Sequence, residues 1–144
     1  MKGGNGMQNK YEINSKIDSY IERLSNSGIV KSFYPNAITK ALDIPLTPTL
    51  ERLNRLVEDE VLELKFEIRC HEGSHIIDIL NDYSKYLDKE IYCIYCGEYV
   101  YIDMSNISPI YYIREEYKEY LKKKNKMNTG RHKEVYLKEL PITV

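Results

Sequence analysis

All three cysteines of this 144-residue chain lie in one stretch, and that stretch limits the possible folds more than any other feature. It reads Cys70-His71-Glu72-Gly73-Ser74-His75, then seventeen residues, then Cys93-Ile94-Tyr95-Cys96-Gly97. Three thiols cannot all pair within one chain, and a C-x2-C turn is too tight to staple a secreted fold. Thiols and an imidazole at C-x4-H and C-x2-C spacing instead match a tetrahedral shell of three sulfurs and one nitrogen. Structural zinc favours that shell, which leaves no position open for substrate. The predicted ligands are Cys70, His75, Cys93 and Cys96. His75 is preferred to His71 because neighbours in an extended chain point to opposite sides, and His71 stays the alternative. The competing reading is three separate thiols beside a polar histidine. A redox role for the C-x2-C would call for a βαβ pattern that does not surround it.

The chain before Cys70 predicts three helices and a strand. Residues 1–10 are rich in Gly and Asn, without periodicity, and read as a disordered terminus. Ser15 and Asp18 resemble a capping box, with Ile17, Tyr20, Ile21 and Leu24 on one face and Gly28 suited to a left-handed stop. After an extended segment over 29–34, Pro35-Asn36 starts a short helix that turns Ala37, Ile38, Ala41 and Leu42 inward and breaks at Asp43-Ile44-Pro45. Thr47-Pro48 opens a third helix with Leu50, Leu53, Leu56 and Val57 facing a core. From Val61 the period becomes two: Leu62, Leu64, Phe66, Ile68 and Cys70 alternate with Glu63, Lys65, Glu67 and Arg69, predicting a half-buried strand.

Beyond Cys70, Ile76 to Leu80 reads as extended, and Glu90 to Tyr92 leads into the Cys93 knuckle. A strand follows over Tyr99 to Asp103, then a turn at Asn106-Ile107-Ser108-Pro109. Ile110 to Ile113 is a candidate last strand, and Arg114 to Lys124 a helix with Tyr117, Tyr120 and Leu121 on one side. Lys122, Lys123 and Lys124 in its last turn complement the helix dipole. Asn125 to Lys133 reads as a polar linker containing His132, and Val135 to Ile142 as a tail that either docks as a strand or forms no element.

The order helix, short helix, turn, helix, strand over residues 14–70 resembles a winged helix-turn-helix domain, with Ala37 to Pro45 as the helix-turn element and Thr47 to Asp59 in place of the recognition helix. The second half is similar to a zinc ribbon, although such modules usually carry C-x2-C in both halves and Gly73 stands where the second cysteine of the first knuckle would be. The expected fold class is therefore α+β. It comprises a winged-helix domain over 11–70, a zinc-stabilised antiparallel β module with a C-terminal helix over 71–125, and a tail over 126–144.

The winged-helix resemblance implies a DNA-binding regulator. Thr49, Arg52, Asn54 and Arg55 on the exposed face of the third helix would read bases, and Lys40 and Lys31 would meet phosphates. Charge opposes this. Residues 11–69 hold eight Lys or Arg against ten Asp or Glu, and residues 70–109 hold two against seven. A duplex is a dense polyanion whose phosphates a binder must neutralise. Only residues 110–144 are basic, with nine against five. Fourteen tyrosines beside two phenylalanines and no tryptophan point either to a contact surface or to an AT-biased genome. The alternative function is accordingly a protein-binding adaptor or subunit of a bacterial multiprotein assembly.

Enzymatic activity is not predicted. No Ser-His-Asp set or phosphate-cradling glycine loop occurs, and pairs such as Glu115-Glu116 and Asp59-Glu60 suit a solvated helix face. No membrane span or signal sequence is evident, which predicts a cytoplasmic protein.

Overall fold

The computed structural model describes residues 9–71 and 75–138. The fold is α+β, and the described residues form four helices, a four-stranded antiparallel sheet and a separate two-stranded hairpin. Helix α1 (Lys10–Ser27) starts earlier than Ser15, because Asn9 caps it: the Tyr11 N–H donates to Asn9 Oδ1 at 2.6 Å and the Asn9 N–H to Glu12 Oε1 at 3.3 Å. This reciprocal box satisfies amide donors that a helix start leaves open. Ile13 thereby joins Ile17 and Ile21 on the buried face. Gly28 ends the helix at φ +74°, a conformation that costs a residue with a side chain.

Strand β1 (Ser32–Phe33) leads to α2 (Pro35–Leu42). Of the four residues expected inward on α2, Ile38 is fully buried and Leu42 is half-buried, whereas Ala37 and Ala41 are exposed. Asp43 takes a left-handed conformation at φ 54°, so the break falls where the sequence places it. Helix α3 (Leu46–Glu58) begins one residue before Thr47 and buries Leu53 and Leu56.

Strand β2 (Leu62–Arg69) pairs with β3 (Ile76–Leu80) on one side and with β6 (Ile107–Ile113) on the other, and β6 also pairs with β1, giving the order β1-β6-β2-β3. The expected turn at Asn106 to Pro109 is thus corrected. Met104–Asn106 form one 3-10 turn, and Pro109 lies inside β6 opposite Phe66. Proline is tolerated because β1 covers β6 only at Tyr111 and Tyr112, so Pro109 faces an open edge on that side. One strand carried Glu67 to an unexpected place. It is only 2% exposed, beneath Tyr34, whose hydroxyl bonds the carboxylate, and beside Arg69, whose Nη2 lies 2.7 Å from Oε1.

Between β3 and β6 stands the hairpin of β4 (Glu90–Cys93) and β5 (Glu98–Tyr101). Helix α4 (Glu115–Lys138) packs against α1 and runs through the expected linker over 125–133. Its buried side holds Leu121 and Lys118, while Tyr120 is exposed. Part of the expected tail, residues 139–144, lies outside the described residues.

Two cores result. The first joins α1, α2 and α3 to the sheet through Ile17, Ile21, Ile38, Leu53, Leu62 and Tyr111. The second contains Ile68, Cys70, Cys93, Val100, Ile102 and Ile107. Because β6 belongs to the sheet that begins with β1 and β2, the expected boundary at residue 70 falls within one hydrogen-bonded unit. Among the described residues no helix is long and apolar enough to cross a membrane.

Candidate metal centre

Two chain reversals build the site. The first follows β2, whose pairing with β3 shifts register between Ile68 and Arg69. Such an irregularity bends a strand and re-aims the next side chain. Cys70 then donates its N–H to the His75 carbonyl at 3.0 Å, closing the loop that returns the chain into β3. The second is the β4–β5 turn. Cys93 ends β4, the Gly97 N–H donates to the Cys93 carbonyl at 2.8 Å, and Gly97 sits at φ +72°, which folds Cys96 back over Cys93.

Cys70, His75, Cys93 and Cys96 meet at this point, with one ligand atom from each lying within 4.8 Å of all the others. Cys70 Sγ is 3.4 Å from His75 Nδ1. A tetrahedron with metal–sulfur bonds of about 2.3 Å has edges of about 3.8 Å, so the four donors need only small adjustments to close on one ion. Cys70 and Cys93 are buried in the second core, His75 is half-buried with its ring stacked on Tyr95 (centroids 5.3 Å apart, planes at 20°), and Cys96 lies at the surface. The cluster contains His75, whereas His71 is exposed and outside it.

A hydrogen bond with Cys93 pushes the Cys96 thiol up to about 11, helped by desolvation and the nearby Cys93 and Cys70 sulfurs, and opposed by the Glu98 N–H. Three sulfurs this close resist shared negative charge, and a bound metal removes that resistance. These four residues can hold a metal ion.

The predicted DNA-reading residues are not brought together as a free surface. Thr49 is fully buried, contrary to its expected exposure, because its hydroxyl donates back to the Pro45 carbonyl at 2.7 Å within the first turn of α3. Arg52 spends its fork on Asp18 of α1, with Nε–Oδ1 at 2.8 Å and Nη2–Oδ2 at 2.7 Å. Asn54 is exposed, but its Oδ1 accepts from the Tyr111 hydroxyl at 2.8 Å. Arg55 is exposed with Glu58 3.5 Å away, and Lys40 and Lys31 are exposed.

A different surface went unread in the sequence. Tyr92 and Tyr99 sit opposite one another on the hairpin, Tyr101 is opposite Glu90, and all three tyrosines are exposed, at 50%, 65% and 53%. Directly opposed residues share a face, so these rings line one side of the hairpin while Ile91, Val100 and Cys93 line the other. The alternation of Tyr99 and Tyr101 was visible in the sequence. The register that adds Tyr92 to them was not. Compared with protein-family models, curated proteins and solved structures, the chain matches none.

Proposed function

We propose that the chain is a non-enzymatic, zinc-clasped adaptor that docks a protein partner. The observation that carries this reading is the tyrosine face of the β4–β5 hairpin, whose other side carries Cys93 of the Cys70, His75, Cys93 and Cys96 cluster. Tyrosine is enriched where proteins meet, because its ring buries area while its hydroxyl tolerates water. Tyr95 and Ile94 on the knuckle are exposed as well and extend the surface. Zinc suits three thiolates and an imidazole, and a shell filled by four protein ligands serves structure rather than catalysis. When bound, the metal would cross-link the end of β2 to the hairpin, contributing roughly 10 kcal/mol or more to ordering it.

A DNA-binding regulator is the second reading, favoured by the order α1, β1, α2, α3, β2, in which α2 and α3 fall on the residues that carry the sequence's winged helix-turn-helix resemblance. Its weakness lies in α3, where Thr49, Arg52 and Asn54 already have intramolecular partners. A mobility shift with random duplex DNA across a salt series separates the two readings. The adaptor reading expects no shift even at low salt. A shift that Arg55→Glu and Lys40→Glu abolish would overturn it in favour of DNA.

A further inference from the structure

We propose that the tyrosine face of the β4–β5 hairpin takes a lysine- or arginine-rich segment of the partner protein, an inference that rests on the adaptor reading and names the partner's chemistry. Charge carries the argument first. Glu90 stands opposite Tyr101 on this face, Glu98 lies on the other face opposite Cys93, and the adjoining cation, Lys89, precedes β4. Asp88 and Asp103 flank the two strands, and the Tyr101 hydroxyl donates to Asp88 Oδ1 at 3.0 Å, holding that carboxylate beside the ring. The face is therefore aromatic and acidic together. A cation over a tyrosine ring is attracted by the ring's negative face, and an adjoining carboxylate adds to the attraction.

The molecule uses the same chemistry on itself. Arg23 stands over Tyr20, Lys65 over Tyr112, Arg69 over Tyr34 and Lys85 over Tyr86, each 5.2–5.9 Å from the ring centroid. Among the described residues no cation covers Tyr92, Tyr99 or Tyr101. Tyr92 and Tyr99 are instead packed edge to face, with centroids 5.2 Å apart and planes at 67°. That contact fixes the two rings in place before a ligand arrives, so little side-chain freedom remains to be lost on binding. A nucleic acid is disfavoured on this face by the carboxylates of Asp88, Glu90 and Asp103, and an acidic peptide for the same reason.

The test uses the full chain loaded with zinc and a short fluorescent peptide alternating arginine and glycine, with a glutamate-glycine peptide as control. Anisotropy should show binding of the arginine peptide only. Loss of both rings in Tyr92→Ala/Tyr99→Ala should weaken it about tenfold, and Glu90→Lys should weaken it as well. Tyr99→Phe, which keeps the ring, should bind within about twofold of the parent. Zinc content and circular dichroism of each variant establish that the hairpin is intact. Equal binding of both peptides, or unchanged binding in the intact double alanine variant, would overturn the inference. So would a concentration-dependent dimer in sedimentation that Tyr99→Ala abolishes, since a second copy, and not a separate partner, would then be the occupant. A protein partner that docks on these tyrosines through an uncharged segment would overturn the cationic chemistry and leave the adaptor reading standing. DNA binding in the mobility shift would remove both.

Discussion

Cys70 owes its role to the backbone around it. Alternation along β2 puts it on the core side, the irregularity after Ile68 turns it, and its N–H to the His75 carbonyl brings the fourth ligand back over it. Asp103 does comparable work on the other side of the site. It caps the 3-10 turn before β6, accepting from the Ser105 N–H at 2.9 Å and from the Ser105 hydroxyl, while the Asn106 amide in that turn donates to the Arg69 carbonyl at 3.0 Å. The Ser105 hydroxyl first, and then the Ser105 N–H, hold the Asp103 carboxyl below its ordinary 3.8. A carboxyl with a depressed folded value stabilises the fold above the unfolded value, and the contribution is lost as pH falls through the folded one. A carbon-13 titration should therefore give Asp103 a midpoint below 3.8, and Ser105→Ala should move it upward. A midpoint that ignores Ser105 would contradict the cap. The ligand types and spacing could be read from the residues alone, and His75 over His71 followed from the geometry of an extended chain. Thr49 could not be placed, because a threonine in a first helical turn can face solvent or bond back to the carbonyl four residues earlier, and only packing decides.

At the scale of elements, the helices were legible where local chemistry governs them. Gly28, Asp43 and Pro45 stop or start elements where their conformational limits demand. The start of α1 was misplaced because Asn9 and Glu12 form a box that competes with the weaker Ser15 and Asp18 pattern. The length of α4 was missed because its polar composition hides a face. The contact of α1 with α3 has a test of its own. Arg52 and Asp18 form a two-pronged pair, but their side chains are 23% and 43% exposed, so solvent screens much of the attraction. Arg52→Ala should cost about 1 kcal/mol or less in urea denaturation. Leu53→Ala, at a fully buried position on the same helix, should cost about 2–5 kcal/mol. An arginine effect as large as the leucine effect would mean the pair, rather than the apolar contact, joins these helices.

The whole molecule is organised by β6, whose partners lie far back in the sequence, and this is why the second half was the harder half to read. A strand containing Pro109 looks like a turn until its neighbours are known. The topology changes what metal removal should do. The ladder from Leu62↔Ile113 to Leu64↔Tyr111 belongs to the first core, whereas Cys70 and Cys93 belong to the second. Chelation should therefore loosen the hairpin and the loop after Cys70, and leave the β2–β6 ladder near Leu62 in place. Hydrogen exchange should show lost protection at β4 and β5 with protection kept at Glu63, Lys65 and Tyr112, whose amides face across the β2–β6 pair. Unfolding of everything after residue 70 would mean that the metal, and not the sheet, holds β6.

All of this depends on the four ligands closing on an ion, and metal content per chain tests that most directly. The purified chain should hold a single zinc ion, and Cys93→Ser, which removes a buried sulfur of the cluster, should hold markedly less. A parent protein as free of zinc as its Cys93→Ser variant, after purification with zinc present, would contradict the account.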